Sequence, residues 1–155
     1  MSAPSESGRK IVAKNRKARH EYHILERFEA GLALQGTEVK SLRQGRASIG
    51  EGYGLIEGGE VWIRDINIPE YEMGNRANHQ PKRTRKLLLH KQEILRLLGK
   101  TTEKGLTLIP LNLYFKRGKV KIEIGLCRGK KAYDKREAIR RRDQDRDLEQ
   151  QMKDR

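Results

Sequence analysis

The residues of this sequence best suited to chemistry are cations that occur in short runs. One run spans residues 82–86 and another spans residues 116–121. Each phosphate that such a cation neutralises releases counterions, so a surface of this kind binds nucleic acid with a steep salt dependence. Aromatic residues make up only 5% of the chain, too few for a row of rings that would stack on single-stranded bases. The pattern therefore favours recognition of a folded RNA through its backbone and shape.

Side chains that could support catalysis or bind a metal are not arranged for either task. The four histidines have no metal-ligand spacing and no cysteine partners. The glycine-rich segment 50–54 lacks the helix that must follow a phosphate-binding loop. Cys127 is the single cysteine, so no internal disulfide can form. We therefore expect no enzymatic activity, no metal site and no cofactor.

The formal net charge of +14 is distributed unevenly along the chain. Residues 1–20 carry +5, residues 76–100 carry +7 and residues 116–142 carry +9, whereas residues 21–75 carry −5. A field this strong attracts polyanions. A simple surplus of surface lysine would be spread over every element. We therefore predict that the fold gathers the three basic segments onto one face; a merely solvated charged surface is the alternative.

Nothing in the sequence predicts an association with membranes. No apolar run approaches the roughly 18 residues that a spanning helix needs. The first five residues are not followed by the apolar stretch of a signal peptide. Together with the single cysteine, this leads us to expect a cytoplasmic protein, and we expect it to be a monomer.

Alternating apolar residues predict about six short strands, most of them antiparallel. Residues 21–35 favour one long strand, in which the skipped alternation near residues 25–27 indicates a bulge. Residues 47–67 and 106–126 favour two hairpins, and adjacent glycines permit the positive φ that the first tight turn demands. A closed barrel leaves no strand edge unpaired. We therefore predict a mainly β, OB-like antiparallel barrel, with a roll or a sandwich as alternatives.

Two or three short helices are expected between the strands, two of them over residues 37–43 and about 91–103. The chain then divides into a flexible N-terminal arm (1–14), an OB-like RNA-binding barrel (15–129) and a basic C-terminal tail (130–155). The tail has too few apolar residues to build a core. We expect it to be disordered when free and helical against a polyanion.

Four runs of residues, read in order, resemble the SmpB family. They are residues 15–22 (NRKARHEY), 36–43 (GTEVKSLR), 83–89 (RTRKLLL) and 129–136 (GKKAYDKR). Each is weak alone, but all four in this order are highly specific. The resemblance implies an adaptor that binds the tRNA-like domain of transfer-messenger RNA, the SsrA RNA. It would deliver this RNA to stalled ribosomes for trans-translation.

The resemblance also implies roles for individual residues. Asn15, Glu29 and Leu88 would matter for the grip on the RNA. The tail would occupy the empty messenger channel at the decoding site of the small subunit and become helical there, on the ribosome. Tyr133 would stack on a ribosomal base, and Lys135 and Arg136 would contact phosphate. Position 133 is histidine in many relatives, and tyrosine there keeps the ring but loses a titratable donor. A further partner would be the elongation factor that delivers aminoacylated RNA.

The basic runs and the resemblance together provide two sets of predicted site residues. The predicted RNA-binding residues are Asn15, Arg16, Lys17, Arg19, His23, Glu29, Arg83, Arg85, Lys86, Leu88, Lys116, Lys119, Lys121, Lys130 and Lys131. The predicted ribosome-binding residues of the tail are Tyr133, Asp134, Lys135, Arg136, Ile139, Arg140, Arg141, Arg142, Leu148 and Met152.

Two other functions would use the same basic surface. A ribosomal or ribosome-assembly protein would co-purify with ribosomes in fixed stoichiometry, whereas an adaptor would be substoichiometric and enriched on stalled complexes. A nuclease or RNA-modifying enzyme would depend on a metal or a cofactor, for which the sequence offers no ligand set.

Overall fold

Seven strands and three helices make up the part of the chain that the computed structural model describes, namely residues 8–74, 78–102 and 105–130. The elements are β1 (Arg9–Lys14), α1 (Arg16–Glu21), β2 (Tyr22–Leu32), α2 (Gly36–Arg43), β3 (Tyr53–Glu57), β4 (Glu60–Arg64), β5 (Arg85–Leu88), α3 (Lys91–Thr101), β6 (Leu106–Lys116) and β7 (Lys119–Gly129). The mainly β fold class is confirmed.

Six of the strands close into a ring. Their order is β6-β3-β4-β5-β2-β7, and the pairing of β7 with β6 completes the barrel. Every pairing is antiparallel. The join between β3 and β6 depends on Gly54, because a Cβ there would lie 2.8 Å from the Cβ of Leu108. The barrel is the OB-like architecture expected from the sequence.

The first strand lies outside this ring. β7 pairs with one edge of β6 along its whole length. The other edge of β6 pairs with two different strands. β3 pairs with that second edge at Leu108, and β1 pairs with it between Asn112 and Lys116. β1 is therefore an added strand that widens one side of the barrel.

The bulge in β2 and the turns of both hairpins follow the sequence prediction. The register of β2 against β7 shifts between Ile24 and Glu26, as the skipped alternation indicated. Gly58 and Gly59 have φ angles of 61° and 75°, the positive values that a two-residue turn between twisted strands requires. The turn between β6 and β7 uses positive φ at Arg117 and Gly118 in the same way.

The inward-facing side chains of the strands build the core of the barrel. On β2 these are Phe28, Ala30 and Leu32, and α3 adds Ile94 and Leu97, which are three residues apart and lie on one helical face. Fully burying an aliphatic or aromatic side chain stabilises a fold by about 1.5–3 kcal/mol. This shared burial holds α3 against the ring.

One expectation about the N-terminal region was wrong, and one helix there was not located in advance. The flexible arm was expected to reach residue 14, but residues 9–14 form β1, because the free half of the β6 edge pairs with them. Val12 and Ala13 also pack against the main core. The helix α1 was not anticipated, because its six residues contain no periodic apolar pattern. The tail from residue 131 onward lies outside the described residues.

Candidate nucleic-acid interface

The outer face of β2 connects two cavities that together contain seven of the fifteen predicted RNA-binding residues. Alternate residues of a strand face opposite sides of the sheet. Because Phe28 and Ala30 point into the core, Arg27, Glu29 and Gly31 lie in a line on the outer face. Arg27 lines one cavity, and Glu29 and Gly31 line the other.

The first cavity, the α1 cleft, lies beside the short helix and has a volume of about 520 Å³. Its lining residues are Lys14, Asn15, Arg16, Arg19, His20, Ile24, Arg27, Leu111 and Asn112. None of these described residues is acidic. A concave surface lined by one sign of charge concentrates the field, so this cleft attracts anions such as phosphate.

Asn15 holds the helix α1 in place at the wall of the cleft. It is the N-cap of α1, where its side-chain Oδ1 accepts a hydrogen bond from the backbone N–H of Ala18 at 3.2 Å. Its Nδ2 donates to the carbonyl of Pro110 at 2.8 Å, and its backbone N–H donates to that of Leu111, also at 2.8 Å. The residue is 7% exposed. Asn15 thus fixes α1 on β6 with its polar groups already engaged.

The cations of α1 are presented to solvent. Arg16 and Arg19 are exposed and have no ion-pair partner among the described residues. Lys17 pairs with Glu51 at 2.6 Å, a hydrogen bond that raises the pKa of the lysine. Lys130 donates from Nζ to the carbonyl of Arg19 at 3.0 Å, which brings the third basic segment next to the first.

Between the two cavities lies a set of charged side chains on the outer faces of β1, β2, β6 and β7, here called the outer polar network. Glu29 is at its centre, and its Oε2 accepts hydrogen bonds from the Tyr114 hydroxyl at 2.6 Å and from Lys116 Nζ at 3.4 Å. Burial raises the pKa of Glu29, but the hydrogen bonds from Tyr114 and Lys116 outweigh this and hold it below its usual value. The carboxylate is therefore ionised at neutral pH.

Glu123 is the second carboxylate of the outer polar network and lies directly opposite Glu29 in the β2–β7 pairing. It accepts from Arg9 at 3.1 Å and from Arg27 at 3.4 Å. Asn112 donates to it from Nδ2 at 3.1 Å. These three donors come from three different strands, β1, β2 and β6.

The second cavity, the Leu88 groove, has a volume of about 730 Å³. Its lining residues are Glu29, Gly31, Gly59, Glu60, Lys86, Leu87, Leu88, Leu89, His90, Lys91, Glu93, Ile94 and Lys121. Leu88 is 51% exposed, unusual for a leucine at the end of a core strand. It packs over Gly31, where a Cβ would lie only 3.2 Å from that of Leu88. Lysines from the second and third basic segments thus surround an exposed apolar side chain.

Arg85 was wrongly predicted as an RNA contact. Its side chain has no exposed surface, and it forms an ion pair with Glu38, which is equally buried. The remaining N–H groups of Arg85 donate to backbone carbonyls, those of Ile66, Gln80, Pro81 and Arg83. Arg83 pairs with the same glutamate and is only partly exposed. These two arginines hold the segment between β4 and β5 against α2.

The other predicted RNA-binding residues differ in their positions relative to the two cavities; of Lys86, His23 and Lys119, only Lys86 lines one, the Leu88 groove. Lys86 is half-buried and pairs with Glu60 at 3.5 Å. His23 is exposed on β2 beside the α1 end of the barrel, opposite Arg128. Lys119 lies at the turn between β6 and β7 and lines neither cavity. Instead of the single basic face expected from the sequence, the described residues form a cationic cleft and a groove lined by three lysines and three glutamates, joined by the outer polar network.

Several residues of this surface were missed by sequence reasoning. Arg27 belongs to the acidic segment of the chain, and Asn112 and Tyr114 resembled ordinary strand residues. The one available signal was the outward alternation of Arg27 with Glu29 along β2. Lys131 and the predicted ribosome-binding residues of the tail lie outside the described residues.

One histidine, His79, and the single cysteine, Cys127, are buried and have structural environments. His79 is buried between the Thr37 hydroxyl, 2.9 Å from Nδ1, and the carbonyl of Ile68, 2.7 Å from Nε2. Burial raises the pKa of Cys127 to about 12. No group of three or more potential metal ligands lies together within residues 8–74, 78–102 and 105–130. None of the described helices is long and apolar enough to cross a membrane.

Comparison with known proteins identifies close relatives. A family model described as SmpB protein matches residues 12–154. The SsrA-binding protein of Acidothermus cellulolyticus is 62% identical over 143 residues, which cover 92% of this chain and 90% of the relative. That of Carboxydothermus hydrogenoformans is 59% identical over 144 residues, covering 93% and 97%. A solved chain described as "tmRNA-SmpB: a journey to the center of the bacterial ribosome" has a TM-score of 0.65 and 54% identity, covering 76% of this chain and 83% of that chain.

Proposed function

The chain belongs to the SmpB family, and from that premise we propose that it is an RNA-binding adaptor of trans-translation. It binds the tRNA-like domain of transfer-messenger RNA and delivers this RNA to stalled ribosomes. One observation carries the proposal: the outer face of β2 joins a cationic cleft to a groove with an exposed leucine. Of the three residues to which the resemblance assigns a role in the grip on the RNA, Asn15 lines the cleft, Glu29 lies on the outer face of β2 and Leu88 lines the groove.

Each part of this face suits a different feature of a folded RNA. The α1 cleft receives phosphates, which Arg16 and Arg19 neutralise. The Leu88 groove offers an apolar contact to an unstacked base or a ribose. All the polar contacts of Glu29 in the structure reach Oε2, so Oε1 can accept a hydrogen bond from a base N–H or a 2′-hydroxyl. Only RNA of suitable shape brings these features together.

The proposal is tested by comparing the affinity for the isolated tRNA-like domain with that for an RNA duplex of equal length at physiological ionic strength. We expect a clear preference for the tRNA-like domain. Arg19→Ala should weaken that binding and reduce the slope of log K against log salt by roughly 0.9 for each phosphate that the protein no longer neutralises. Arg64→Ala, which removes an exposed cation of β4 that lines neither cavity, is the matched control. Equal affinity for both RNAs would contradict the proposal.

The adaptor role also determines the binding partners and the cellular location that we propose. The protein is not an enzyme, and it acts in the cytoplasm, where ribosomes translate. We place the barrel on the tRNA-like domain and the tail, residues 130–155, at the small-subunit decoding site. The elongation factor that delivers aminoacylated RNA is a third partner. The adaptor works as a monomer.

A further inference from the structure

We propose that Arg9 is a positioning residue for the RNA-binding face, acting as the shared counter-ion of Glu29 and Glu123. The inference rests on the proposed function and adds to it a residue that belongs to neither cavity. Arg9 lies on β1, the strand outside the barrel ring, and its guanidinium reaches across β6 toward both carboxylates.

The need for such a counter-ion follows from strand register. Glu29 and Glu123 face each other directly on β2 and β7, and like charges in this arrangement destabilise a sheet. Lys116 contacts only Glu29 of this pair, and Arg27 contacts only Glu123. Arg9 contacts both, at 3.7 Å and 3.1 Å. Among the described residues, it is the one cation that touches both carboxylates.

Arg9 is too buried to contact an RNA itself. Its side chain is 4% exposed, and its guanidinium carbon lies 4.2 Å from the centre of the Tyr114 ring, a cation–π contact. Its Nε has no hydrogen-bond partner within the described part of the chain. The hydrogen bonds from both terminal nitrogens to Glu123, together with the ion pairs and the aromatic ring, keep Arg9 in place. Any effect of Arg9 on RNA binding must pass through the residues that it holds.

Two parts of the RNA-binding face depend on this contact. Without Arg9, the two carboxylates would repel each other, which would disturb Glu29 and the position of Lys116. β1 would also lose the ion pairs at its outer end. β1 ends at Lys14 and is followed by Asn15, and both residues line the α1 cleft. A less firmly held β1 would therefore loosen the wall of that cleft. Both cavities would thus be affected by a residue that lines neither.

A double-mutant cycle tests the inference. Arg9→Met should weaken binding of the tRNA-like domain by about tenfold, the effect expected when a hydrogen bond to a charged group is removed. Adding Glu123→Gln removes the repulsion and keeps an acceptor for Arg27 and Asn112, so the double variant should recover most of the affinity. Lys10→Met, which removes an exposed cation of the same strand, is the matched control, and Glu123→Gln should not improve it. Purely additive effects in Arg9→Met and Glu123→Gln would overturn the proposal.

A pH series separates this role from a general loss of structure. As the pH falls from 8 to 5, protonation of one carboxylate should relieve the repulsion in Arg9→Met, so the ratio of its affinity to that of the unaltered protein should rise. The groups facing the pair are Tyr114, Lys116, Arg27 and Asn112, and His20 lines the same cleft as Arg27 and Asn112. These groups are the same in both proteins, so the ratio isolates the contribution of Arg9. A constant ratio would count against the proposal.

Two further measurements keep the inference testable if Arg9→Met is unstable or if the unaltered protein shows no preference for the tRNA-like domain. Arg9→Lys keeps one charge but lacks the planar fork of N–H donors of the guanidinium, so it should show a weaker form of the same effect. Amide hydrogen exchange without RNA should be faster in residues 10–14 of Arg9→Met, and Glu123→Gln should slow it again. If the unaltered protein shows no preference for the tRNA-like domain, the proposed function fails. The exchange result then decides the role of Arg9 alone.

Discussion

The buried ion pairs of Glu38 show what a single residue contributes to this fold. Replacing Arg85 with Met leaves a buried carboxylate with one arginine and frees four backbone carbonyls, so we expect the free energy of unfolding to fall by roughly 3–5 kcal/mol. Arg83→Met, at a partly exposed partner of the same glutamate, should cost less. Urea denaturation of both variants measures the difference. Equal losses would contradict the buried role of Arg85.

The same glutamate makes stability depend on pH. Burial raises the pKa of Glu38, but hydrogen bonds from Arg83, the Gln35 backbone and Arg85 outweigh this, so the pKa in the folded protein lies below its ordinary value of 4.5. A depressed pKa stabilises the fold above the unfolded value, and this contribution is lost as the pH falls through the folded value. We expect the free energy of unfolding to decline below about pH 5. In Glu38→Gln, which is less stable at neutral pH, the decline should be shallower in acid titrations followed by circular dichroism.

At the scale of elements, the position of α1 depends on its N-cap. Asn15→Ala removes the cap and leaves the Pro110 carbonyl without its side-chain donor, which should cost about 1–3 kcal/mol of stability. RNA affinity should fall with it, because the cations of α1 lose their place. Arg16→Ala, at the exposed neighbouring position, should lower affinity with a stability change within about 0.5 kcal/mol. If Asn15→Ala reduced affinity but left thermal stability intact, Asn15 would have to contact the RNA directly.

Elements were predictable from the sequence where their signals are local. The two hairpins and the bulge of β2 follow from alternation and turn glycines within short windows. β1 was missed because its partner strand lies about a hundred residues later in the chain. Arg85 was misplaced for a similar reason: its sequence neighbours are surface cations, and the residue that buries it, Glu38, lies in a different element. Long-range pairing decided both outcomes.

For the molecule as a whole, we expect the barrel and the tail to have separable tasks. Both cavities and the outer polar network lie within residues 9–123. Removing residues 131–155 should therefore leave the affinity for the tRNA-like domain nearly unchanged. Tagging of the products of stalled ribosomes should be abolished, because the tail is proposed to occupy the decoding site. Gel-shift titration and a tagging assay on the same preparation measure the two effects. Loss of both would contradict the division.

The place of β1 on the rim of the ring also bears on self-association. Over residues 112–116, β1 covers backbone groups of β6 that would otherwise be free to recruit a strand from another molecule. Its own outer side carries the exposed lysines Lys10 and Lys14, which discourage such stacking. A chain shortened to begin after Lys14 would lack β1, so the edge of β6 at residues 112–116 would be uncovered. It would then form edge-to-edge dimers or larger aggregates, visible in light scattering, under conditions in which the longer chain stays dispersed.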